Sequence, residues 1–478
     1  MNLSFVFSLR YERLEIKGMG EKKINVNAKM EEAVSYLYDI PRFTTKNSPE
    51  HTRDFLALLG NPQDAFHTIH VAGSNGKGSV CKFFHEMLLK TDKRIGLFTS
   101  PHLVDIRERF LIDGQMCTEE AFLEAYEIVK TAAEQQQANS GSYPTFFEFI
   151  FAVGMVLFER ASVDYVVLET GLGGRLDATN SVTAPILTIL TSISLEHTEY
   201  LGNTIALIAG EKAGIMKPHI PVVFDANEPE AAAVIEARAK QLQCPSYGIS
   251  KNMCQILEIK RNLIDFSLST QYDKKTNWQI PFAAEYQVMN ASLAITGMRI
   301  LLEQGAFALT QDVLFNAIAH TSWQGRMEEV LPDVFLDGAH NVAGITEFVK
   351  SVNGLLKADM TKTSLKPYDA ESKKPILLFS MVKDKDYRHA ISLLASQVEW
   401  DKVFVSTIPS QRGIPAEELQ QIFNQEKELL VASIPDYTRA FDKVLELQQP
   451  GQMVFCTGSL YFIGALKEYI SRCEKNSI

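Results

Sequence analysis

The stretch Thr68-Ile69-His70-Val71-Ala72-Gly73-Ser74-Asn75-Gly76-Lys77-Gly78-Ser79 constrains this chain more than any other. It begins as a short apolar strand, passes through a glycine-rich turn and ends as a helix start. Val80, Phe83, Phe84, Met87 and Leu88 fall at i, i+3, i+4, i+7 and i+8, one apolar face of a helix. A glycine turn between strand and helix aims several backbone N–H groups at one point. The helix dipole adds partial positive charge there and Lys77 adds a full one, which predicts a phosphate cradle. In the common phosphate loop Ser or Thr directly follows the lysine. Here Gly78 intervenes and the hydroxyl comes at Ser79. The plain alternative is an ordinary glycine-rich loop with a solvent-facing lysine. The strand before and the helix after favour nucleotide binding.

With 478 residues, 46% of them hydrophobic, the chain can bury large cores in two or three domains. Its net charge of −11 and the absence of a dense Lys/Arg run argue against a nucleic-acid surface. Six cysteines are scattered without C-x-x-C pairs, as in a reduced, cytoplasmic protein lacking a cysteine metal site. Residues 3–9 are apolar but carry neither the basic leader nor the cleavage site of a signal peptide. No apolar stretch is long enough to span a membrane.

Along the chain, residues 1–27 read as a loose extension. Helices are expected over 29–37 and 50–59, with a polar loop over 41–49. A second strand over 95–99 ends in Ser100-Pro101-His102-Leu103, and a helix over 118–133 is followed by a polar connection over 134–142. An apolar helix opens at Pro144 and reaches Phe158. Strands follow over 164–168, 185–193 and 222–224, with a helix over 203–216 between the last two. This alternation predicts a parallel sheet covered on both faces. Residues 241–286 alternate like an antiparallel flap, a helix covers 288–303, and 320–332 reads as a linker. Strands over 334–336, 376–379, 403–405 and 453–456 then restart the rhythm, with a surface loop over 357–374. The expected fold is α/β: a P-loop-type, mostly parallel central domain over 28–322, then a smaller Rossmann-like α/β domain over 323–478.

Ligands of open parallel sheets sit at the carboxyl ends of the strands. There the early strands present the phosphate loop, Ser100, Glu169 and His197. A hydroxyl, a carboxylate and an imidazole beside phosphates suit Mg²⁺, although a histidine ligand is less usual. Taken singly, each has an ordinary structural explanation in a turn or a hydrogen bond. Lys212 lies at i+7 from Ile205, on the apolar face of its helix. Spacing alone favours a snorkelling lysine whose ammonium reaches water. The alternative is an amine aimed into the site, able to capture CO₂ as a carbamate.

Several motifs keep a common order. They are the phosphate loop, Ser100-Pro-His-Leu103, Thr145-Phe-Phe-Glu148, Glu169-Thr-Gly-Leu-Gly-Gly-Arg-Leu-Asp177, Glu196-His-Thr198, Glu211-Lys-Ala-Gly-Ile-Met-Lys217 and Asp337-Gly-Ala-His-Asn341. From about residue 29 onward the chain resembles the folylpolyglutamate synthase / dihydrofolate synthase family of Mur-type amide ligases. The resemblance implies that Asn75, Gly76, Lys77, Gly78 and Ser79 hold ATP phosphates and that Ser100, Glu169 and His197 bind Mg²⁺. It implies a carbamylated Lys212 serving a second Mg²⁺, against the spacing argument. Thr145, Phe146, Phe147, Glu148, Arg175, Leu176 and Asp177 would line a pterin or pteroate pocket. Asn290 would reach the adenine, while Arg326, Asp337 and His340 would close on ATP. Lys383, Asp384, Lys385, Asp386 and Ser410 would help receive L-glutamate.

The implied reaction is ATP-driven amide formation through an acyl phosphate, with folate or dihydropteroate as acceptor. Lys77, Lys212 and His197 are its expected catalytic side chains, and the expected enzyme is a monomer. Two rivals are a Mur-type ligase acting on a cell-wall precursor and a non-enzymatic module closed by a nucleotide. Each site residue also has a plain rival: core packing for Phe146 and Phe147, a helix cap for Asp337, a linker salt bridge for Arg326.

Overall fold

Helices α1 (26–39) and α2 (Pro49–Leu58) precede β1 (His67–Ala72), and the glycine turn then opens α3 (Lys77–Leu88). The computed structural model describes residues 26–41, 47–362, 373–410, 412–427 and 429–476. The expected extension over 1–27, apart from its last two residues, lies outside them, as do the centres of the 41–49 and 357–374 loops. After α3 come β2 (Ile95–Phe98), the hairpin β3 (Phe110–Ile112) and β4 (Gln115–Met116), α4 (Glu119–Ser140), α5 (Phe146–Arg160) and β5 (Tyr165–Glu169). Then follow β6 (Leu187–Leu190), α6 (Thr198–Leu201), α7 (Ile205–Ala213), β7 (Val222–Asp225), α8 (Pro229–Leu242) and β8 (Ser246–Ile249).

These strands form one sheet in the order β4-β3-β2-β5-β1-β6-β7-β8. It is parallel from β2 to β8, with β3 and β4 antiparallel at one edge. The parallel strands read as continuous apolar runs because helices cover both faces. On one face Ile69 and Val71 pack with Phe83 and Phe84 of α3. On the other, Phe98 and Val166 pack with Phe149, Phe151 and Phe158 of α5, a helix buried nearly all round.

A three-stranded antiparallel sheet, β9 (Cys254–Lys260), β10 (Leu263–Ser269) and β11 (Lys274–Ile280), realises the expected flap. Next are α9 (Tyr286–Glu303), which packs along α3, and α10 (Gln311–Ala319). The second α/β unit contains β12 (Glu328–Leu331), β13 (Val334–Leu336), α11 (Val342–Lys362), β14 (Ile376–Phe379), α12 (Tyr387–Gln397) and β15 (Lys402–Val405). It is completed by α13 (Ala416–Glu426), β16 (Val431–Ser433), α14 (Tyr437–Leu447), β17 (Val454–Thr457) and α15 (Leu460–Asn476). Its sheet order is β12-β13-β17-β14-β15-β16. Two bonds join the units beside the phosphate loop: Asn341 Nδ2 donates to Asn75 Oδ1 (3.1 Å), and Tyr286 Oη donates to Asp337 Oδ2 (3.1 Å).

Several expectations need correction. The polar stretch 134–140 continues α4, because Glu and Gln are good helix formers and Gln136 is buried; Gly141, at φ 72°, ends the helix. The 246–249 segment of the expected flap instead joins the large sheet, where β8 pairs with β7. The 320–332 linker contains β12, which pairs antiparallel with β13. Helix α11 runs through 357–362, the start of the expected surface loop. Helices α8 and α10 and strands β3, β4 and β16 had no strong sequence signal. The buried face of α8 is Ala231, Ile235 and Ala239, and alanine gives little apolar contrast.

Candidate active site

Four strand ends converge on a cavity of about 410 Å³. From β1 it takes Ser74, Asn75, Gly76, Lys77 and Gly78, and from the end of β2 Ser100, Pro101 and His102. Glu169, Gly171, Leu172, Gly173, Leu176 and Asp177 contribute from the end of β5, and Glu196 and His197 from the segment after β6. Lys212 enters from α7. The second unit closes the wall with His340, Asp384, Lys385, Arg412, Ser459 and Tyr461, and Arg326 lies where the units join.

The phosphate loop is stitched to the exit of β6. Thr191 Oγ1 and Ser192 Oγ donate to Asn75 O (2.7 and 3.2 Å), and Ser74 N donates to Ser192 O (2.8 Å). Ser74 Oγ donates to Ser194 O (3.1 Å) and accepts from Ser194 N (3.0 Å). The turn needs its glycines. A Cβ on Gly73 would lie 1.8 Å from Thr191 Oγ1, and one on Gly76, at φ 90°, would lie 2.3 Å from Asn290 Oδ1. Lys77 Nζ donates to Gly73 O (2.9 Å) and Ser74 O (3.1 Å), so it curls over the mouth of the cradle instead of pointing to solvent.

Glu169 is 4% exposed, and its Oε2 accepts from Ser100 N (3.0 Å). Burial raises its pKa against the opposing pull of Lys77 and the Ser100 amide. His197 follows in a left-handed conformation, at φ 45°. Burial, then Lys385, holds its pKa down to about 4, so the ring is neutral at pH 7 and keeps a lone pair for a ligand. The donor set therefore fits a hard dication: a carboxylate and a hydroxyl, with one neutral imidazole. Among the described residues no group of three His, Cys, Asp or Glu side chains could hold a metal.

Lys212 is the sharpest departure from spacing. It is 1% exposed, and its Nζ donates to Glu196 Oε1 (2.7 Å) and Gly73 O (2.8 Å). Snorkelling is overturned: the apolar face of α7 turns inward, and the amine lies beneath the phosphate loop. Burial brings its pKa down to about 8, opposed by Glu196. Burial raises the Glu196 carboxyl, but Lys212 and then Lys77 outweigh it and bring its pKa down to about 2. The pair is charged at neutral pH.

Elsewhere on the cavity wall, Phe146 is stacked on Tyr38 (5.9 Å, interplanar 10°), with the Arg109 guanidinium 5.8 Å from its ring centre. Arg109 Nε donates to His102 Nδ1 (2.8 Å), which leaves His102 Nε2 as the donor to Tyr38 Oη (2.9 Å). Phe147 sits edge-on to Phe98 at 6.1 Å. Thr145 and Glu148 form a capping box at the start of α5. Glu148 also accepts from Asn47, His51 and Thr52, so its carboxylate is heavily committed to the scaffold. Leu176 and Asp177 line the wall.

Some expected residues lie outside that wall. Arg175 is 56% exposed at its side chain and turns to Glu211 (2.8 Å). Ser79 Oγ accepts from Gln287 Nε2 (3.1 Å), facing α9 rather than the cradle. Asn290 backs Gly76 and donates to Gln287 Oε1 (2.9 Å). Asp337 is buried and accepts from Met327 N (2.9 Å) and Ala339 N (2.8 Å) as well as Tyr286; burial raises its pKa. His340 does line the cavity. Its Nδ1 faces the Gly338 carbonyl (2.8 Å) and so carries the proton, while burial and Lys385 hold its pKa down to about 4. Ser410 and Lys383 are outside the wall, whereas Asp384 and Lys385 are in it. Sequence reasoning missed Tyr38, His102, Arg109, Glu196, Arg412, Ser459 and Tyr461. Glu196 and His102 stood inside motifs already singled out and carried a signal; the others had none.

A phosphate loop facing a carboxylate, an imidazole and a buried lysine, under a second α/β unit, fits the Mur-type ligases that the sequence resembles. Residues 71–298 match the Mur ligase middle domain family. The chain is 31% identical over 444 residues to the dihydrofolate synthase/folylpolyglutamate synthase of Bacillus subtilis, covering 92% of this chain and 98% of the relative. It is 29% identical to the folylpolyglutamate synthase of Lacticaseibacillus casei, covering 91% and 97%. A solved Mycobacterium tuberculosis folylpolyglutamate synthase complexed with ADP and AMPPCP superimposes with a TM-score of 0.80 at 26% identity, covering 93% and 98%. An E. coli structure holding DHPP and ADP gives 0.76 at 26% identity, covering 93% and 98%. The chain belongs to the folylpolyglutamate synthase / dihydrofolate synthase family. It is an ATP-dependent ligase.

Proposed function

We propose that this enzyme joins L-glutamate to the carboxylate of a folate, and also to dihydropteroate, at the expense of ATP. The carrying observation is the convergence of four strand ends on one cavity whose far wall belongs to the second sheet. The acceptor carboxylate attacks the γ-phosphorus, ADP leaves and an acyl phosphate forms. The glutamate amine then attacks the acyl carbon and phosphate departs. Lys77 and the N–H groups opening α3 take up phosphoryl charge, so the chain contributes mainly positioning and electrostatics. Ser100, Glu169 and His197 would hold Mg²⁺, which supplies further neutralisation of the phosphates. Phe146, Phe147, Leu176 and Asp177 take the acceptor's ring system, and Lys385 and its neighbours receive glutamate. The shared wall keeps water from the acyl phosphate.

Lys212 is assigned as a carbamate serving a second Mg²⁺. Carbamylation would set an anion beside Glu196, and a dication would supply the missing counter-charge. Isotope-labelled bicarbonate should give a carbamate carbon resonance by NMR that Lys212→Arg lacks; its absence in the wild type would remove this assignment. The two units are taken to divide at 322/323. The monomer and the cytoplasm complete the proposal, supported by a cavity built from one chain and by cysteines scattered along the sequence without C-x-x-C pairs. Among the described residues no helix is long and apolar enough to cross a membrane.

The deciding experiment is ADP release by purified protein with L-glutamate and either dihydropteroate or tetrahydrofolate. Release with both is expected. Release with only one restricts the enzyme to that acceptor, and release with neither overturns the proposal.

A further inference from the structure

His70 lies on central strand β1, in the motif that makes the phosphate loop, yet it touches no part of the cavity. It is 0% exposed, between β5 and β6 in the sheet. Its neighbours Ile69 and Val71 point to the core under α3. By strand alternation His70 points to the opposite face. There its Nε2 meets Thr179 Oγ1 at 2.8 Å. Thr179 is also 0% exposed, and its hydroxyl donates to Asp177 Oδ1 (2.6 Å).

A hydroxyl has one proton, and here Asp177 receives it. Thr179 can therefore only accept from His70, which fixes His70 as the tautomer protonated on Nε2. Among the described residues its Nδ1 has no partner. The order is thus set at each link: His70 donates to Thr179, and Thr179 donates to Asp177. The other Asp177 oxygen, Oδ2, accepts from Leu172 N (2.8 Å), closing the 172–177 loop into a fixed shape. Leu172 and Asp177 both line the cavity. The far end of this segment is pinned separately. Asn180 Nδ2 donates to Arg175 O (3.0 Å) and Gly214 O (3.2 Å), and Lys217 Nζ donates to Asn180 Oδ1 (2.8 Å).

A histidine is an expensive way to fill a core site on a central strand. A phenylalanine would pack there without a buried nitrogen left unpartnered. We propose that His70 is a positioning residue which, through Thr179, holds Asp177 and the 172–177 loop in the shape that receives the acceptor. It thereby ties the acceptor wall to the strand that carries the phosphate loop. The inference rests on the proposed acceptor role of that wall. Only the acceptor side depends on the chain, because the phosphate loop is held independently by Thr191, Ser192 and Ser194.

The test is steady-state kinetics of His70→Phe and Thr179→Val, with whichever acceptor supports ADP release. Each should raise the acceptor KM about tenfold while leaving the ATP KM within about twofold. The double variant should be no worse than either single, since both break one chain. His70→Gln, whose amide nitrogen stands where Nε2 stood, should restore most of the acceptor KM. The inference is overturned if acceptor and ATP KM rise together, if neither rises, if the two single effects add, or if Gln does not rescue. Asp177→Asn separates the layers. If it leaves the acceptor KM unchanged, the acceptor role of the wall fails and the inference with it. If it raises that KM while His70→Phe and Thr179→Val do not, the inference alone fails.

Discussion

Lys77→Ala is expected to leave a folded protein that turns over about 10³-fold more slowly, comparable to deleting a preorganised charge-stabilising donor elsewhere. The amine has two duties in the structure. It donates to Gly73 O (2.9 Å) and Ser74 O (3.1 Å), and it is a positive charge beside Glu169 and Glu196. The first duty is worth only about 1 kcal/mol of stability, because ordinary intramolecular hydrogen bonds largely replace bonds to water. The second matters most as negative charge moves from the terminal phosphate toward the leaving ADP. The loss should therefore fall on kcat, with thermal unfolding little changed. Single-turnover ADP release measures it. A Lys77→Ala enzyme within about tenfold of the wild type would contradict the phosphate role.

Lys212→Ala is expected to damage both folding and activity. Lys212 and Glu196 are 1% and 8% exposed at their side chains, with 2.7 Å between Nζ and Oε1. In the uncarbamylated protein, where Lys212 is an ammonium, breaking this buried pair from one side strands the other charge, at a cost of about 3–5 kcal/mol. Neutralising both partners avoids that penalty. Lys212→Ala combined with Glu196→Gln should recover most of the stability lost by Lys212→Ala alone, while activity stays lost. The urea midpoint of each variant reads the first effect and ADP release the second. Equal destabilisation of the single and double variants would mean that packing, not the stranded carboxylate, sets the cost.

The cradle and the strand-end residues Ser100, Glu169 and His197 were legible in the sequence because they follow from local rules. Strands ended where apolar runs ended, and a parallel sheet gathers those ends on one side. Lys212 shows the limit of spacing. Periodicity placed it on the apolar face of its helix but carried no information about what that face packs against. Because the face turns inward beneath the phosphate loop, snorkelling was impossible. Tyr38, Arg412 and Tyr461 were invisible for a related reason. They reach the cavity only because α1 and the second sheet fold back over it, and no short-range pattern encodes such a long return. Arg175 failed in the opposite direction. It stands inside a site motif, but its guanidinium is taken by Glu211.

The bonds from Thr191, Ser192 and Ser194 have a thermodynamic consequence. The backbone freedom of residues 73–76 is surrendered when the large sheet forms, together with the cost of holding two glycines at positive φ. An arriving triphosphate therefore meets a rigid receptor and has little left to freeze. More of its contact energy remains available for drawing the two sheets together around the acceptor.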